Sequence, residues 1–107
     1  MIITRYDLIN AGVKELQVQS IVTRAATKFA IRTYDDFALT ADGKDKRLTK
    51  HFDLDELIEK QTKYIDKVLT IHKVGNEKLL ITLIDIRKKI KLKQKAKNGQ
   101  ENTKRTK

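Results

Sequence analysis

Gln17, Ser20, Arg24, Thr27 and Lys28 recur at spacings of three and four, with Lys14 one turn ahead of them. Their side chains suit the edges of stacked bases. A Gln amide matches adenine with two hydrogen bonds, an Arg guanidinium matches guanine, and Ser and Thr add shorter polar contacts. Between residues 16 and 34 there is no Asp or Glu. An ordinary solvated helix face mixes both signs of charge, so an acid-free stretch points to an anionic partner. The plainer reading is that every amphipathic helix has a polar outer side.

Two further cationic groups could meet the same kind of partner. Lys44, Lys46, Arg47 and Lys50 surround or follow Asp42-Gly43, a hairpin-turn signal, and could grip backbone phosphates without reading sequence. Lysines can also serve only to guard strand edges against aggregation. The second group is a tail. Residues 87–107 hold ten Lys or Arg against one acid (Glu101), so almost all of the formal net charge of +10 lies there. Arg87, Lys88, Lys89, Lys91, Lys93, Lys95 and Lys97 are its contact candidates, and such a block suits a polyanion or simple solubility.

These groups need elements to hold them. Thr4 and Asp7 form a shortened capping box, Ile3 and Leu8 a staple, and Gly12 a stop, which together define a short first helix. A second helix begins near residues 14–17 and runs to about Lys28, with Val18, Ile21, Val22, Ala25 and Phe29 as its buried stripe. Two helices around a tight Gly turn make a helix-turn-helix pattern. Residues 34–40 and 47–52 then read as the strands of a hairpin, a candidate wing. Asp53 and Glu56 form a second capping box.

Beyond it Leu54, Leu57, Ile58, Gln61, Tyr64, Ile65, Val68 and Ile71 mark a long amphipathic helix, with Gly75-Asn76 as stop and restart. Leu79, Leu80, Leu83, Ile84 and Ile86 continue as another helix. Over 68–86 a β-hairpin turning at Gly75-Asn76 stays open, because β-branched residues are frequent there. From Asn98 onward the chain reads as unstructured. The fold class expected is mainly α with a small β-hairpin wing: a winged helix-turn-helix domain over 1–60, an amphipathic helical arm over 54–86, and a basic, largely disordered tail over 87–107. The arm's apolar stripe suits either a homodimer seam or the domain's own core.

The order of helix, turn, helix, basic hairpin and capped helix resembles the winged-helix domain of the MerR-like class. That class includes small excisionase-like proteins of phages, plasmids and integrative elements. The residues carrying the resemblance are Thr4-Arg5-Tyr6-Asp7-Leu8-Ile9, Gly12-Val13, Arg24, Asp42-Gly43 with Arg47, and Phe52-Asp53-Leu54-Asp55-Glu56-Leu57. They cover about residues 2–60. The resemblance implies double-stranded DNA binding through the second helix and wing, DNA bending, and recruitment of a recombinase, relaxase or polymerase partner. A Tyr-Tyr segment common in that class after the second helix is replaced here by Thr33-Tyr34.

Catalysis has little support. His51 and His72 are the only histidines, cysteine is absent, and no phosphate loop or nucleophile motif is present. His51 reads as a strand residue and His72 as lying near a helix end where a cation is favourable. The expectation is a non-enzymatic protein with no metal or cofactor, cytoplasmic, with no membrane partner. Two other functions stay open: a helical assembly protein with a solubilising tail, and an RNA-binding protein. The second is disfavoured by the few aromatics, which fall mostly on apolar stripes.

Overall fold

The chain opens with a two-residue strand, β1 (Ile2–Ile3), whose partner lies fifty residues further on. Thr4 caps the helix that follows, α1 (Arg5–Asn10): its hydroxyl accepts from the Tyr6 amide at 3.2 Å, and the Asp7 carboxylate accepts from the Thr4 amide at 2.9 Å. Gly12, at φ +88°, takes the left-handed conformation that closes the turn. Helix α2 (Glu15–Thr23) runs directly into a π-helical turn, Arg24–Lys28, closed by the Phe29 amide on the Arg24 carbonyl at 3.1 Å. The computed structural model describes residues 1–106, with side chains described through Lys93.

Strands β2 (Thr33–Leu39) and β3 (Lys46–Asp53) form the hairpin, and β1 adds to the far side of β3 in the antiparallel order β1-β3-β2. Thr33 pairs with Phe52 and Leu39 with Lys46, so the turn falls at Thr40–Asp45. Gly43 at φ +73° supplies the turn's left-handed residue, and Asp42 accepts from the Thr40 hydroxyl at 2.6 Å and the Lys44 amide at 3.0 Å. The Thr40 hydroxyl holds the Asp42 carboxyl below its ordinary pKa, with the Lys44 amide adding to the effect. Asp53 then caps α3 (Leu54–Ile65), accepting from the Asp55 and Glu56 amides.

Here the chain departs from the sequence reading. The break expected at Gly75-Asn76 lies instead at residues 66–69, where the Lys67 and Val68 amides both bond the Tyr64 carbonyl. Gly75 is inside the next helix, α4 (Thr70–Thr106), which excludes a hairpin over 68–86 and takes helix through the segment from Asn98 read as unstructured. Turning early lets α4 fold back over the domain. Leu83, Ile86 and Ile90 then join Ile3, Leu8, Val18, Ile21, Ala25, Phe52, Leu54 and Leu57 in one core. Glycine costs a helix interior about 1 kcal/mol against alanine, a small loss against burial of three large aliphatic side chains.

Residues 1–60 and 54–86 therefore share a single hydrophobic centre. Leu54, Leu57, Ile58, Leu83 and Ile86, read as a possible seam for a second chain, are buried within this one. No helix among the described residues is long and apolar enough to cross a membrane.

A candidate nucleic-acid interface

Helix α2 buries Val18 and Ile21, and the π-helical turn that continues it buries Ala25, so the side opposite them is fixed by helical phase. Leu16, Ser20, Thr23 and Thr27 lie along that outer ridge, all exposed, with Leu16 at 89%. Gln19 stands on the flank toward the hairpin; Lys14, Gln17 and Lys28 are also exposed. The sequence reading missed Leu16, Gln19 and Thr23. Phase measured from the buried stripe would have found them; choosing residues by chemical type did not.

Arg24 is the main correction. Its Nε donates to Gln61 Oε1 at 2.9 Å and its Nη2 donates to Asn76 Oδ1 at 2.7 Å. The guanidinium lies 5.2 Å from the Phe29 ring centre and 5.5 Å from that of Tyr64. Gln61 is fully buried, and its Nε2 donates in turn to the Asn76 carbonyl at 3.0 Å and Oδ1 at 3.2 Å. Desolvation pushes the Arg24 pKa down. Arg24 ties α2 to α3 and α4 and is not presented to a groove. Gln61 and Asn76 take the Nε and Nη2 donors on one edge of the guanidinium.

Two neighbours are also committed in part. The Thr27 hydroxyl donates back to the Thr23 carbonyl. Lys28 Nζ sits 4.1 Å from the Tyr64 ring centre and, chiefly by hydrogen bonding, lowers the pKa of that phenol.

The hairpin faces α2 across a groove of about 290 Å³ lined by Arg5, Gln19, Val22, Asp35, Leu48, Thr49 and Lys50. Alternation along the strands puts Lys46, Leu48 and Lys50 on one face with Phe37, Leu39 and Asp35. Arg47, Thr49 and His51 share the other with Tyr34. Lys44, Lys46, Arg47 and Lys50 are all exposed, and none takes part in an ion pair among the described residues. Phe37 is 65% exposed, while Tyr34 stacks on His51 at 5.0 Å. These two are the exposed aromatics; Tyr6, Phe29, Phe52 and Tyr64 are buried or half-buried, in keeping with aromatics that fall mostly on apolar stripes.

The basic segment of α4 is only partly available. Arg87 Nη1 donates to Asp55 Oδ1 at 3.2 Å, Lys89 pairs with Asp85 at 3.0 Å, and Lys93 donates to the Asn10 carbonyl. Arg87 is thus an anchor and not a tail contact: Asp55 also receives the Met1 amine at 2.9 Å. That ammonium, with Arg87 adding to it, holds the Asp55 carboxyl below its ordinary pKa. Lys88 and Lys91 are exposed. The side chains of Lys95 and Lys97 lie outside the described residues.

His72 lies in the first turn of α4, where a helix dipole disfavours a cation, contrary to the position expected for it. Among the described residues no group of three His, Cys, Asp or Glu side chains could hold a metal ion.

The chain matches no protein-family model, and comparison with curated proteins and with solved structures also gives no match.

Proposed function

We propose that this chain binds double-stranded DNA, without catalysis, as a winged helix-turn-helix protein whose α2 ridge enters the major groove. The observation that carries the reading is the outer side of α2. It is exposed along its outer ridge and free of acid from Leu16 to Lys28, and it stands beside a hairpin that brings Lys50 to a shared groove, with Lys46 on the same strand face. With Arg24 withdrawn, base contacts fall to Gln17, Gln19, Ser20 and Thr23, and Leu16 offers an apolar surface to a thymine methyl. Lys14, the hairpin cations, Lys88 and Lys91 grip phosphate and set position. The MerR-like pattern adds support for a regulator, an excisionase-like architectural factor or a DNA-transfer accessory of a phage or mobile element. Such a protein acts beside a recombinase, relaxase or polymerase.

Site selection from a random duplex pool, followed by binding titrations across salt, tests this. Lys46→Ala with Lys50→Ala should make the log–log salt slope shallower by about 0.9 for each phosphate that is no longer neutralised. Gln19→Ala with Ser20→Ala should instead flatten the preference among sites, by roughly 1–3 kcal/mol for each base-reading side chain removed. Variants that bind every duplex as the parent does would sink the groove model. Tighter binding to single-stranded or structured RNA would favour the exposed Phe37 and Tyr34 of the hairpin as the working surface.

A further inference from the structure

The side of α4 turned away from the core is apolar where solvent would favour polar residues. Ile71, Val74, Ile81 and Leu92 are exposed there, from 61% at Val74 to 81% at Ile71. With Lys78, Asp85 and Lys88 they follow alternating steps of three and four, the repeat of a helix–helix seam. At 100° per residue this ridge lies nearly opposite Leu79, Leu83, Ile86 and Ile90, which face the core cluster. It is a second stripe, distinct from the one that the fold consumes. From Ile71 to Leu92 it runs about 32 Å at 1.5 Å per residue, long enough for a specific helix pair.

We infer that this ridge pairs with the same ridge of a second copy of the chain, and that the two α4 helices run antiparallel. The charges select the direction. Parallel pairing would set Lys78 against Lys78, Asp85 against Asp85 and Lys88 against Lys88. Antiparallel pairing about a two-fold axis between Ile81 and Thr82 brings Lys78 of each copy beside Asp85 of the other, twice over. The same axis places Ile71 of each copy near Leu92 of the other and leaves the two Ile81 side chains at the centre. Asp85 already pairs with Lys89 on its own helix, an exposed ion pair of little strength that still leaves the carboxylate able to accept Lys78. The pairing is argued from α4 alone and does not depend on the DNA-binding reading, although Ile71 at one end of the ridge adjoins Arg24 and Lys28 across a shared pocket.

Sedimentation equilibrium of the full chain without DNA tests the inference. The parent should show reversible monomer–dimer behaviour in the micromolar range. Ile81→Glu, an exposed change that should leave the helical circular dichroism intact, should weaken dimerisation at least tenfold. Lys78→Glu should weaken it similarly by facing Asp85 with a second acid, as should Asp85→Lys by facing Lys78. The combined Lys78→Glu, Asp85→Lys variant should recover dimerisation. A parent that stays monomeric at several hundred micromolar overturns the proposal, as does a dimer indifferent to Ile81→Glu. Failure of the double variant to recover, with both single variants impaired, overturns the antiparallel arrangement.

Discussion

Helices α2 and α4 invert each other's surface logic. Both bury one apolar stripe in the same core, but the outer ridge of α2 is mostly polar and lacks acids, whereas that of α4 is half aliphatic with charges of both signs. A ridge like that of α2 loses little in water and gains from a polyanion. A ridge like that of α4 gains from removal of water and tolerates only a partner whose charges alternate in the complementary order. One small core thus carries two dissimilar outward faces.

The sharpest way to break the comparison is to truncate each side of α4 in turn. Leu83→Ala, inside the core, should cost about 2–5 kcal/mol in a urea melt. Ile81→Ala, two residues away on the outer ridge, should stay within roughly 0.5 kcal/mol once measured at a concentration where the chain is monomeric. Similar costs at both sites would mean that the outer ridge is already covered within one chain.

The next largest effect belongs to α2. Arg24→Ala should lower stability by about 2–3 kcal/mol, because Gln61 and Asn76 lose their charged partner in a low-dielectric site. Preference among duplex sites, measured on the folded fraction, should not change. A loss of preference with unchanged melting would return Arg24 to the groove.

A smaller effect concerns the anchor of α4. The Asp55 carboxyl has a folded-state pKa below its unfolded one, so its contribution is present above the ordinary carboxylate range and is lost as pH falls through the folded value. Asp55→Asn should remove that part of the acid dependence in thermal melts. The loss at neutral pH should be below about 1 kcal/mol, since the group is well solvated. An unchanged acid limb would show that Arg87 and the Met1 amine do not hold it.

The features visible in the sequence are those with local causes. Thr4 with Asp7, Asp53 with Glu56, and Asp42-Gly43 each act within a few residues, and their helix starts and turn lie where the residue pattern puts them. The features that escape depend on distant partners. Arg24 reads as an outward cation because its hydrogen-bond acceptors stand 37 and 52 residues away. The reversal at residues 66–69 contains neither Gly nor Pro; it follows from seating Asn76 against Gln61 and Leu83 in the core. Strand β1 is too short to show any period. On α4 the inner and outer aliphatic residues mingle in sequence, and only the folded helix separates them.

Ala30 joins the π-helical turn to β2 with a φ of +48°, a left-handed posture that costs alanine about 1 kcal/mol more than glycine. The hairpin therefore hangs from the helix on a stiff elbow, pinned by the Ile31 amide on the Ala25 carbonyl at 2.9 Å. Glycine at this joint would relieve the chain and free the hairpin to swing. Alanine instead narrows the backbone freedom of the joint, so the chain itself constrains the angle between helix and hairpin.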